Sequence, residues 1–158
     1  MAEMRKESGE QKTHSLKTKL KQSSSLSAEY YVASLLFRLG YVVTITLGNT
    51  KEIDLLVYNP KSNETATIDV KGLKNATNWI MPKKPSHKKH HFYVLLTFKN
   101  KYDVFDTTPE VYTIPDEKVS EYLCNWTGRK DVNKIDYKNL KDKKELKGEE
   151  GLKQLFPT

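Results

Sequence analysis

The stretch that decides the fold runs Glu52-Ile53-Asp54-Leu55-Leu56-Val57-Tyr58, turns through Asn59-Pro60-Lys61-Ser62-Asn63, and continues as Thr65-Ala66-Thr67-Ile68-Asp69-Val70-Lys71. Two segments rich in β-branched residues flank a loop whose proline and asparagines favour a turn, so the simplest reading is an antiparallel hairpin. Side chains alternate across a strand. Ile53, Leu55 and Val57 therefore share one face with Ala66, Ile68 and Val70, and burying that face aims Asp54, Asp69 and Lys71 at the other.

Phase matters here because the tripeptide alone does not. Acid-x-Lys also occurs at Glu10, Asp116, Asp136, Asp142 and Glu145. Only Asp69-Val70-Lys71 closes a β-branched strand with both charges held on one face by the opposite face's burial. Two carboxylates side by side can hold Mg²⁺ or Mn²⁺ through oxygen, and an adjacent lysine can orient water or offset developing negative charge. The bland alternative is a cross-strand ion pair on a solvated sheet face.

Working outward, Ser27 is placed to cap a helix from about Ala28 to Leu39, with Val32, Leu35, Leu36 and Leu39 at helical spacing and Gly40 as its stop. Glu29 falls in its first turn, where a carboxylate suits either a metal or the helix dipole. Tyr30, Tyr31, Phe37 and Tyr41 read as core. Tyr41 to Leu47 reads as a strand, Phe92 to Phe98 as a buried strand, Tyr102 to Phe105 and Val111 to Ile114 as shorter ones, and Asp116 to Cys124 as a helix containing the single cysteine. The class is α/β.

The chain has 158 residues and net charge +7, a length that fits one domain. Residues 1–25 read as a flexible basic arm, 26–127 as the domain, and 128–158 as a charged extension ending in a short helix. Lys71 to Lys101 holds eight lysines and no acid. Within it Lys74, Lys83, Lys84, Lys88 and Lys89, with Trp79, have the composition of a loop that contacts phosphates and stacks on bases; the alternative is a solvated lysine-rich loop. His87, His90 and His91 lack cysteine or acid neighbours and do not read as a zinc site. No apolar run approaches the ~20 residues that span a bilayer, and no signal-peptide segment follows Met1, so a cytoplasmic protein without membrane contact is expected.

Taken with their order, Glu29, Asp54, Asp69 and Lys71 resemble the PD-(D/E)XK nuclease superfamily, in which an acid on a helix precedes a hairpin bearing Asp and (Asp/Glu)-x-Lys. The likeness covers about residues 27 to 123 and looks closest to bacterial endonuclease-like members. It departs from the commonest pattern in having Ile53 before the first aspartate and Asp69 in place of glutamate. The resemblance implies a restriction-endonuclease-like core with a central mixed sheet of about four to five strands flanked by helices. It further implies Mg²⁺- or Mn²⁺-dependent hydrolysis of DNA phosphodiester bonds, with Asp54, Asp69, the Val70 carbonyl and Glu29 around the metal, Lys71 beside the water, and a homodimer as one assembly. A nuclease-fold protein that binds nucleic acid without cleaving it is the alternative.

Overall fold

The computed structural model describes residues 23–46, 53–82, 88–126 and 129–158. The first helix, α1, occupies 23–38. Ser24, Ala28, Val32, Ala33 and Leu36 are its buried face. Helical periodicity therefore continues N-terminal to Ser27, which is an interior residue and not the cap. Its hydroxyl instead hydrogen-bonds the Tyr102 hydroxyl at 2.9 Å.

Gly40 ends the helix as its left-handed C′ residue, with φ +86°. The Tyr41 N–H reaches the Leu36 carbonyl at 3.2 Å and the Gly40 N–H reaches Phe37 at 3.0 Å, which closes a Schellman motif. Tyr31 and Tyr41 pack against the core, whereas Tyr30 and Phe37 are exposed, contrary to the core reading.

The hairpin forms as expected. Strands β1 (Val42–Ile45), β2 (Leu55–Asn59) and β3 (Glu64–Leu73) are consecutive and antiparallel, with Leu55 opposite Ile68 and Val57 opposite Ala66. In the turn, the Asn59 side chain accepts the Lys61 N–H at 3.0 Å and Asn63 adopts φ 60°, the local hydrogen bonding and backbone freedom that favour asparagine there.

β4 (Asn78–Met81) follows. β5 (His91–Thr97) then pairs parallel to β3, and β6 (Glu110–Pro115) pairs antiparallel to β5. The mixed sheet has order β1-β2-β3-β5-β6. A second sheet, β4-β8-β7, comprises β4, β7 (Cys124–Trp126) and β8 (Arg129–Asp136). The chain closes with α2 (Tyr137–Leu140) and α3 (Gly148–Lys153).

Every residue of β5 is buried, because each face of the main sheet has its own core. Leu55, Val57, Ala66, Ile68, Val70, Val94 and Leu96 join α1, Leu152, Leu155 and Phe156 on one face. Tyr93, Leu95, Tyr112 and Ile114 join Trp79, Met81, Ile135 and Leu140 on the other.

Three expectations fail for this reason. Residues 129–158 supply one strand of the second sheet and side chains to both cores, so they are part of the fold and not an extension. Asp116–Glu121 forms a short 3-10 helix, after which Cys124 enters β7 as a half-buried free thiol, not a helical residue. Tyr102 to Phe105 is a pair of turns, with no strand among the described residues paired to it. Of the arm read over 1–25, residues 23–25 belong to α1 and 1–22 lie outside the described residues. Among the described residues no helix is long and apolar enough to cross a membrane.

Candidate functional site

The site lies where β2 leaves β3. Among the described residues the ladder between them ends at Leu55 and Ile68, while β3 continues to Leu73 paired with β5 alone. The Asp54 N–H donates to the Ile68 carbonyl at 2.8 Å, and the Asp54 carbonyl accepts the Thr46 N–H at 2.9 Å and the Thr46 hydroxyl at 3.1 Å. Thus fixed, the Asp54 side chain takes the place of the missing strand. Its Oδ2 accepts the Val70 N–H at 2.7 Å. A strand residue's N–H and C=O point the same way, so the Val70 carbonyl faces the same gap.

One residue earlier, Asp69 turns to the other face of the sheet and is 4% exposed. Lys71, a third exposed, places Nζ 2.7 Å from Asp69 Oδ1 and 2.9 Å from Oδ2. The hydrogen bond is directed at Oδ2, and the buried Oδ1 meets the same ammonium as an ion pair. Burial raises the Asp69 carboxyl to about 6; Lys71 opposes that rise and contact with the Asp54 carboxylate adds to it.

Glu29 reaches this group from α1. A Cβ on Gly72 would stand 2.7 Å from the Ala28 Cβ and 3.0 Å from the Ser24 carbonyl oxygen, so the helix presses on β3 immediately beyond Lys71. The next helix residue, Glu29, has its carboxyl raised to about 7 by burial and by the charges of Asp54 and Asp69, against a lowering by Lys71. Glu29 lies seven positions into the described helix, which includes residue 23, so a first-turn dipole preference does not explain it. The four residues singled out in the sequence thus act on one another electrostatically.

Three carboxyls and one ammonium leave excess negative charge around the buried Asp69 Oδ1, which the Lys71 ammonium approaches at 2.7 Å, and every candidate ligand is oxygen. That chemistry suits a hard divalent cation. Among the described residues no three His, Cys, Asp or Glu side chains converge closely enough to hold an ion unaided. The fit therefore rests on Asp54, Asp69 and the Val70 carbonyl, with water filling the shell as Mg²⁺ prefers.

The basic stretch does not form one loop. Lys74 follows β3 at the Lys71 end of the sheet, with its ammonium 4.5 Å from the centre of the Tyr102 ring. Lys88 and Lys89 are exposed but precede β5, whose His91 pairs with Thr67, four residues before Lys71. They stand toward the opposite end of the sheet. Lys83 and Lys84 lie outside the described residues.

Trp79 is not a stacking platform. It is 1% exposed, packs edge-on against Tyr112 with ring centroids 6.2 Å apart, and donates its indole N–H to the Leu96 carbonyl at 3.1 Å. Its alternation within β4, between exposed Ile80 and half-buried Asn78, turns it into the second core. His91 is also buried, with Nδ1 2.8 Å from the Thr67 hydroxyl.

Sequence reasoning missed Gly72, whose need for space appears only once α1 is docked. It also missed Tyr102, whose hydroxyl bridges Ser23 and Ser27 of α1 at 3.0 and 2.9 Å. Compared with known proteins, the chain matches no protein-family model and no curated sequence.

Proposed function

We propose that this protein is a Mg²⁺- or Mn²⁺-dependent endonuclease of restriction-endonuclease-like fold that hydrolyses DNA phosphodiester bonds. The observation that carries the reading is Asp54 closing onto Val70 beside the Asp69–Lys71 ion pair, with Glu29 of α1 near enough to act on all three by charge. The five-stranded mixed sheet with a helix across one face is compatible with that reading.

Asp54, Asp69 and the Val70 carbonyl are the groups that would hold the ion. Bound there, it supplies Lewis acidity toward water and neutralises phosphate charge. Lys71, pinned by Asp69, presents ammonium protons to the attacking water and to a phosphate oxygen as negative charge grows. In the metal-free site burial and the Asp54 and Asp69 charges raise the Glu29 carboxyl to about 7, and a cation held on those aspartates would favour its ionised form. Lys74 adds positive charge beside Lys71 for the incoming strand.

Incubation of the full chain with supercoiled plasmid and Mg²⁺ or Mn²⁺ tests the reading. Nicking that requires the metal and disappears in Asp69→Ala and Lys71→Ala is the expected result. Salt-sensitive DNA binding without any metal-dependent nicking would replace it with a non-cleaving binder.

A further inference from the structure

The turns between β5 and β6 present an apolar tip that nothing among the described residues covers. Val104 is half exposed and Phe105 is 96% exposed. The tip is built, not loose. The Val104 N–H donates to the Lys101 carbonyl at 3.0 Å, and the Thr107 hydroxyl donates to the Val104 carbonyl at 2.7 Å. Tyr102 anchors the base of the tip through Ser23 and Ser27 and packs edge-on against Phe98, with centroids 4.9 Å apart.

Immediately downstream, the chain forms one wall of a groove of about 590 Å³ between α1, β6 and α3. Tyr31, Leu35, Leu39, Pro109, Val111 and Leu152 give it apolar walls, and Arg38 stands exposed among them. The other charged rim residues are already matched: Lys147 pairs with Glu110 at 3.1 Å and Glu149 with Lys153 at 2.9 Å. Among the described residues neither Arg38 nor the two acids flanking the tip, Asp103 and Asp106, makes an ion pair.

We propose that tip and groove are the two halves of a homodimer contact. Phe105 of one copy fills the groove of a second copy, and Asp103 and Asp106 meet its Arg38. Tip and groove adjoin through Thr108 and Pro109, so a two-fold axis between them seats both tips at once and closes the assembly. The contact does not depend on the nuclease reading.

Sedimentation equilibrium of the full chain tests it. The wild type is expected at twice the monomer mass, and Phe105→Ala, at a fully exposed position, weakens association by about tenfold or more with an unchanged circular dichroism spectrum. Arg38→Glu alone and Asp103→Lys/Asp106→Lys alone are each monomeric. Mixed in equal amounts they dimerise, because both tip-to-rim contacts then pair opposite charges. A wild type that stays monomeric to roughly 100 µM, a Phe105→Ala protein that dimerises undiminished, or a mixture that remains monomeric overturns the proposal. So does a Phe105→Ala protein that loses DNA binding while its assembly is unaltered.

Discussion

The carboxylate of Asp54 closes the main-chain hydrogen bond that β2 leaves open on β3, its Oδ2 lying 2.7 Å from the nitrogen of Val70. One side chain thereby has two duties, strand surrogate and proposed metal ligand, and the two can be separated. Asp54→Ala leaves the Val70 N–H without an acceptor in a partly buried place, a loss of about 1–3 kcal/mol. Asp54→Asn keeps an acceptor. Urea denaturation is expected to show the alanine protein destabilised by that amount and the asparagine protein close to wild type, with plasmid nicking lost in both.

Glu29 ties stability to pH with a definite sign. Its carboxyl titrates at about 7 in the folded protein against 4.5 for a free one, because burial and the Asp54 and Asp69 charges oppose ionisation. Between those values the folded state holds the extra proton, so its contribution to stability falls as pH rises and is fully lost above about 7. In metal-free buffer Glu29→Gln removes that decline. Thermal melts at pH 5 and pH 8 are expected to show a midpoint drop in the wild type that is smaller in the variant. An identical drop in both would contradict the coupling.

Glu110 produces the opposite dependence. Burial alone would raise its carboxyl, but hydrogen bonds from Tyr112, Lys147, Lys99 and Tyr137 outweigh burial and hold it at about 2. A depressed carboxyl stabilises the fold above its unfolded value of 4.5 and loses that contribution as pH falls toward 2. Acid titration followed by circular dichroism is expected to unfold the wild type more steeply below pH 4.5 than Glu110→Gln, which starts less stable and changes less.

Trp79 provides a test that separates packing from recognition. Trp79→Ala in the second core is expected to cost about 3–5 kcal/mol in denaturant unfolding. Trp79→Phe, which keeps most of the volume, is expected to retain DNA affinity at matched salt. A large loss of affinity in a stably folded Trp79→Phe protein would return the indole to the interface.

The hairpin was legible because burial of one face by Leu55, Val57, Ala66, Ile68 and Val70 fixes the direction of every second side chain. Asp69 and Lys71 followed from that phase, whereas Asp54 lies just outside β2 and is placed by its hydrogen bonds with Ile68 and Thr46. What escaped depends on tertiary partners. In β8, Val132 and Ile135 stand amid Arg129, Lys130, Asp131 and Lys134, too sparse an apolar pattern to announce a strand that pairs with β4 and β7. Trp79 carries the same composition signal whether it stacks on a base or fills a core, and only the pairing of β4 with β8 decides. The helical state of residues 23–27 was hidden because serines at 23, 24, 25 and 27 look like a polar arm until Tyr102 and Gly72 give them something to pack against.

The most direct measurement is anomalous diffraction from crystals soaked in Mn²⁺. A peak in the gap between β2 and β3, bonded to the Asp54 and Asp69 carboxylates and to the Val70 carbonyl at about 2.0–2.2 Å, is the expected result. Crystals saturated with Mn²⁺ that show no ion there, with Lys71 still paired to Asp69, would contradict the metal-dependent site.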